Sequence, residues 1–164
     1  MGVAGAGKTV VGRLVAEGLA VPFLDSDDLH PAANVEKMRA GLPLDDSDRL
    51  PWLAILAQKL AETAVDGGGL VLACSALKRR YRRILLAGIA GRARLVWLHG
   101  SESLIAQRLA LRRGHFMPAA LLASQLAALE APGTDEALAV DISPPPADIA
   151  ATILASLRPE GAKV

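Results

Sequence analysis

Two rhythms of apolar residues alternate along this chain, one at helical spacing and one in short unbroken runs. After a glycine-rich opening, Thr9 to Ala20 sets Val10, Val11, Leu14, Val15 and Leu19 on one stripe, which predicts a first helix. Val21 to Leu24 is a short apolar run that gives way to Asp25 and Asp27, the form of a buried strand whose polar residues emerge at its C-terminal end. Pro31 suits the first turn of a helix running to about Ala40, with Gly41 as its stop. Leu42 to Leu50 reads as a loop rich in Pro and Asp, where Ser47 or Asp48 is expected to cap a long helix reaching about Val65 and ended by Gly67, Gly68 and Gly69. Leu70 to Ala73 and Arg94 to Leu98 read as strands, Lys78 to Ala87 as a helix, and Ser101 to Arg113 as a helix capped by Ser101. Pro118 to Glu130 predicts another helix, Ala137 to Val140 a last strand, and Pro146 to Leu157 a closing helix. Strands alternating with helices predict a parallel sheet covered on both faces, so the class is α/β.

Composition narrows the classes of function. A chain of 164 residues is one domain's worth, and 52% hydrophobic against 21% charged residues is far from the profile of a disordered segment. Lys and Arg number 18 against 17 Asp and Glu, so the net charge of +1 gives no chain-wide reason to expect nucleic acid or an anionic membrane. The single cysteine, Cys74, has no partner for an internal disulfide, and no Cys/His cluster has zinc spacing; both fit a reducing cytoplasm and no structural metal. Apolar runs such as Ile84 to Ile89 stop short of the ~18 residues that span a bilayer. Gly residues and Lys8 stand where a signal peptide would be apolar, and Ala6 breaks the myristoylation pattern.

The most informative chemistry is at the start. Gly2 to Thr9, GVAGAGKT, matches GxxxxGK[ST] in full: Gly2, Val3, Ala4, Gly5, Ala6, Gly7, Lys8 and Thr9. Glycines let the backbone turn tightly so that successive N–H groups point at phosphate oxygens, at the positive end of the first helix. Lys8 is placed to reach the β and γ phosphates of ATP, and the Thr9 hydroxyl to ligate Mg²⁺. The motif opens a periodic helix, as that mechanism requires.

DSDDLHP, GLPLDDSDRLPWL, CSALKRRYR and RLALRRGHF follow along the chain. With GVAGAGKT they resemble the gluconokinase family of P-loop sugar-acid kinases, whose pattern runs roughly DxDxLHPxxNxxKMxxGxPLxDxDRxPWL, CSALKxxYR and RxxxRxGHF. Asp25, Asp27, His30, Pro31, Asn34, Lys37, Met38, Gly41, Pro43, Asp46, Asp48, Arg49, Pro51 and Trp52 match, and the resemblance runs from Gly2 to about the final helix. It implies a P-loop NTPase-type parallel sheet flanked by helices, of the nucleoside-monophosphate-kinase and shikimate-kinase kind, and ATP-dependent phosphorylation of D-gluconate on its 6-hydroxyl. In that fold a strand precedes the P-loop and is central to the sheet, yet only Met1 precedes Gly2. The first strand is therefore expected to lie upstream of the sequence as written, and the upstream reading frame is the place to look for it.

A polyol acid needs a positive clamp for its carboxylate and partners for its hydroxyls. Arg49, Lys78 and Arg82 are candidates for the clamp, and His30 and Asp27 for the hydroxyls. Asp27 is the candidate to orient the attacking hydroxyl and take its proton; Asp25, on the same strand face by period two, is a candidate to hold Mg²⁺ through water. The same acids would also serve as a helix-capping cluster. Arg108 and Arg112 lie one helical turn apart before Gly114; by analogy with related kinases, Arg108 is assigned to the nucleotide and Arg112 to the charge of the transferring phosphoryl. A solvated basic helix end is the plain alternative. Residues 112–118 are expected to form a lid. Cys74 and Trp52 read as core or pocket wall. Relatives of this kind suggest a homodimer, whose interface the sequence does not locate. A kinase of another small hydroxy acid or of a nucleotide, or a nucleotide-binding module without turnover, are the competing readings.

Overall fold

The computed structural model describes residues 1–111 and 119–158. Its elements run α1 (Lys8–Leu19), β1 (Phe23–Asp25), a 3-10 turn (Ser26–Leu29), α2 (Ala32–Arg39), α3 (Asp46–Val65), β2 (Val71–Ala73), α4 (Arg79–Leu86), β3 (Val96–His99), α5 (Glu102–Ala110), α6 (Ala119–Ala128), β4 (Leu138–Asp141) and α7 (Pro146–Leu157). The helices form close to where the apolar stripes place them, although Val10 and Leu19 of the first stripe are exposed while Val11 and Val15 are buried, and the strands are short parallel runs as expected for an α/β fold. Two local readings change. The cap of α3 is Asp45, not Ser47 or Asp48: its carboxylate accepts from the Asp48 N–H at 2.9 Å, and the Asp48 carboxylate accepts from the Asp45 N–H at 2.9 Å. This reciprocal pairing satisfies N–H groups that a helix start leaves bare, so the helix begins earlier than the run of prolines and acids suggests. The 3-10 turn was not expected either; Asp25 caps it by accepting from the Asp27 N–H at 3.2 Å.

Two hydrophobic clusters hold the layers together. One joins the glycine-rich loop, α1, α5 and α7 to β3 and β4 through Val3, Val11, Leu98, Ile105, Ile142 and Ile153. The other lies between α3 and α4 and holds Trp52, Leu53, Leu56, Cys74, Tyr81 and Leu85. Trp52 and Cys74, read from the sequence as core or pocket wall, are both buried here.

The sheet is in two halves, β1 with β2 and β3 with β4, each pair parallel. Phe23 is in register with Val71, and Val96 with Leu138. Among the described residues no strand lies between β2 and β3. The backbone of Met1 and Gly2 bridges the halves at one end: the Met1 amine donates to the Val96 carbonyl, the Leu98 N–H to the Met1 carbonyl at 2.9 Å, and the Gly2 N–H to the Ser75 carbonyl at 3.2 Å. Contact with Val96 and Leu98 on either side of Trp97 is the pattern of a parallel ladder. Behind this bridge lies a slot of about 390 Å³, lined by Val11, Val15, Val71, Leu85, Ile89 and Val96 among others. The Met1 amine borders it, and burial, followed by the charge of Lys8, lowers its pKa to about 5.

Candidate active site

The glycine-rich loop folds as the motif requires. Gly5 and Gly7 have φ of +82° and +86°, the left-handed region where a side chain is strained. A Cβ on Gly5 would also come within 2.9 Å of Leu109 Cγ and 3.1 Å of Ile105 Cγ2, so α5 packs directly on the loop. Gly7 immediately precedes α1, and no side chain caps that helix start, which leaves its first N–H groups and the positive end of the helix facing the loop. Lys8 Nζ donates to the Val3 carbonyl at 3.1 Å, folding the ammonium over the loop. Not every expected group faces a ligand: the Ala4 N–H donates to Gln125 Oε1 on α6 at 2.7 Å. Gln125 was not singled out in the sequence, because nothing in the helical pattern of α6 distinguishes it from any other polar position. Arg108 lies beside the loop, its Nη1 being 3.9 Å from where a Gly7 Cβ would stand, and its Nη2 donates to the Ile142 carbonyl at 2.6 Å.

Thr9 joins this loop to the acidic corner. Its hydroxyl donates to Asp25 Oδ2 at 2.8 Å, so the two residues expected to hold a cation are in contact. Two hard oxygen donors beside a phosphate loop fit Mg²⁺, which takes few protein ligands and completes its shell with water and phosphate. Among the described residues no group of three or more His, Cys, Asp or Glu has the spacing of a metal cluster. Asp27 does not share a strand face with Asp25, as period two had suggested. The chain leaves β1 at Asp25 and turns, and Asp27 stands exposed in the 3-10 turn.

Beyond it, His30 stacks on Trp52 with centroids 4.2 Å apart, and Asp27 and Arg49 are the charges that act on its ring. Burial is the largest influence and lowers the His30 pKa, Asp27 raises it and Arg49 lowers it further. Arg49 Nε donates to the Leu44 carbonyl at 3.3 Å. Lys78, at the start of α4, pairs with Asp46 at 3.0 Å. Asp46 also accepts from the Tyr81 hydroxyl and pairs with Arg80. Bonds from Tyr81 and then Lys78 hold the Asp46 carboxyl down to about 2. In the sequence, Asp46 stood out only as a matched position in the pattern; that it gathers α4 onto α3 needed the fold.

Arg82 requires a correction. Expected in the clamp, it is 1% exposed and bound internally. Its Nε and Nη2 donate to Glu136 at 2.6 and 3.1 Å, and its Nη1 donates to the carbonyls of Ala76, Leu77 and Glu130. Two of those carbonyls belong to the turn at Ala76, a non-glycine residue at φ +43°. Arg82 thus braces the segment that leads to Lys78, its guanidinium donors taken up by Glu136 and backbone carbonyls. The helical spacing of the basic run placed Lys78 and Arg82 together and gave no sign that one of them turns inward. Arg112 and the expected lid at 112–118 lie outside the described residues.

A family profile described as an AAA domain matches residues 1–132. A gluconokinase of Gluconobacter oxydans is 52% identical over 136 residues, which cover 83% of this chain and 76% of that protein. The chain belongs to the gluconokinase family. The crystal structure of a gluconokinase from Sinorhizobium meliloti is similar throughout, with a TM-score of 0.87 and 47% identity over 96% of this chain and 88% of that one. The shikimate kinase of Aquifex aeolicus shares the fold, with a TM-score of 0.59 and 19% identity over 96% of this chain and 92% of that one. As a member of the gluconokinase family the chain is a P-loop kinase that uses a nucleotide. No helix among the described residues is long and apolar enough to cross a membrane.

Proposed function

We propose that this chain transfers the terminal phosphoryl group of ATP to the 6-hydroxyl of D-gluconate, giving 6-phospho-D-gluconate and ADP. The observation that carries this proposal is the Thr9–Asp25 contact of 2.8 Å, which fastens a phosphate-binding loop to the turn from which Asp27 and then His30 and Arg49 follow as mutually interacting groups. In that corner Asp27 orients the 6-hydroxyl and accepts its proton as the oxygen attacks phosphorus, while the bond from phosphorus to the ADP oxygen breaks. Lys8 and the amides around Gly5 and Gly7 balance the phosphate charge; Arg108 contacts the nucleotide, and Arg112 steadies the transferring group. Arg49 and Lys78 supply positive charge for the gluconate carboxylate, and His30 and Asp27 serve its hydroxyls. Thr9 and Asp25 would hold Mg²⁺, Asp25 through water; when bound, the ion neutralises charge on the phosphates. A lid at 112–118 would close to exclude water. A buried, unpaired Cys74 thiol whose pKa is raised by burial suits a reducing cytoplasmic setting.

The test is purified protein with ATP and Mg²⁺ and a panel of gluconate, shikimate and nucleoside monophosphates. ADP release with gluconate alone supports the proposal; release with another acceptor, or ATP binding without turnover, overturns it.

A further inference from the structure

Two buried neighbours fix His30 in both plane and edge. The plane is set by Trp52: the rings lie 13° from parallel, Trp52 is 2% exposed, and its indole N–H donates to the Ser26 carbonyl at 2.8 Å. The edge is set by Asn34, itself 4% exposed. Asn34 Nδ2 donates to the Asp48 carbonyl at 2.9 Å, and a carbonyl only accepts, so the amide's NH₂ end is the one on that side. The same NH₂ faces His30 Nδ1 at 3.4 Å. An amide nitrogen only donates, so Nδ1 must be the bare ring nitrogen and the proton must sit on Nε2.

We propose that Asn34 is a positioning residue that holds His30 as its neutral Nε2–H tautomer, so that His30 offers one hydrogen-bond donor to an oxygen of the sugar acid. Only the identity of that acceptor rests on the gluconate proposal above. Protonating Nδ1 would set an N–H against the Asn34 NH₂, two donors facing one another with no acceptor between them. The other groups around the ring agree in part: burial and Arg49 oppose a charged ring, and Asp27 favours one. Asp48, whose carbonyl orients Asn34, keeps its own carboxylate on Lys37 at 2.7 and 2.8 Å, so it does not compete for the imidazole. A fixed Nε2–H donates to a hydroxyl or carboxylate oxygen at that point and rejects an ammonium group, so the pair is a selectivity device against amino-substituted acids.

The experiment is nitrogen NMR of the whole chain labelled in its histidines, free of ligand and near neutral pH, with His30→Gln used to identify the His30 signals. The expected result is a protonated Nε2 and a bare Nδ1. Asn34→Asp, which replaces the donor by an acceptor, should move the proton to Nδ1 or charge the ring. It should also raise the gluconate KM about tenfold, the equivalent of one lost hydrogen bond, with kcat changed by less than about twofold. Asn34→Ala serves if the Asp variant does not fold, and should give a mixture of tautomers. A parent spectrum with Nδ1 protonated overturns the proposal, as does a His30 spectrum indifferent to both Asn34 changes. Because the spectrum needs no substrate, its failure condemns the tautomer alone. The expected spectrum with no gluconate turnover would instead condemn the substrate.

Discussion

Replacing Arg82 by Met separates two roles that the basic run around it suggests, a clamp for substrate and a brace for the fold. Met keeps most of the aliphatic stem, so the packing loss is small and the change falls on the guanidinium. What disappears is a two-point pair with Glu136 at 2.6 and 3.1 Å and donors to three carbonyls, at 3.3, 3.1 and 2.9 Å. Removing one partner of a buried ion pair costs ~3–5 kcal/mol. The Glu136 side chain is 21% exposed, so water can reach part of the stranded carboxylate, which argues for the lower half of that range, about 3–4 kcal/mol. For a chain of this size each kcal/mol is worth ~2–4 °C, so Tm should fall by about 6–16 °C. Urea unfolding with a thermal scan measures this, alongside the gluconate KM taken well below the transition. An Arg82→Met, Glu136→Met double variant should recover part of the loss, since an apolar pair leaves no stranded charge. If Arg82→Met instead unfolds within about 1 kcal/mol of the parent while the gluconate KM rises more than about tenfold, Arg82 is a substrate clamp and its role as a brace is refuted.

Three further outcomes are expected. The Asp46 carboxyl is held down to about 2 in the folded chain against 3.8 for an unperturbed aspartate, so its stabilisation is present above pH 3.8 and is lost as pH falls toward 2; the gap in urea midpoint between parent and Asp46→Asn should close over that window. Asp27→Ala should abolish phosphoryl transfer while leaving ATP affinity within about threefold in titration calorimetry; transfer at the parent rate would remove Asp27 from the chemistry. Gly5→Ala should cost ~1–3 kcal/mol of stability from the φ of +82° alone and weaken ATP binding, because the new methyl meets Leu109 and displaces α5 from the loop; an unaltered Kd would show that the loop does not hold the phosphates.

How much of this was legible in the sequence depended on whether the signal was local. The stripe of Val11, Leu14 and Val15 and the closing run Pro146–Leu157 are periodic over several turns, and both helices form where the pattern placed them. The phosphate loop was readable because its task fixes residue types at fixed offsets. The start of α3 was misplaced because a Pro- and Asp-rich stretch looks like a loop until Asp45 and Asp48 are seen to cap one another. Arg82 was misread for a different reason: its partner Glu136 lies 54 residues away, and no spacing rule reaches that far. Asn34, Asp46 and Gln125 likewise act through contacts between elements, which only the fold reveals.

The phosphate loop is fastened on two sides. Thr9 joins it to Asp25 at the end of β1, and Arg108, beside Gly7, holds the Ile142 carbonyl just past β4. A nucleotide seated there would touch residues anchored to both strand pairs, so its binding should lift the melting of the whole chain as one transition.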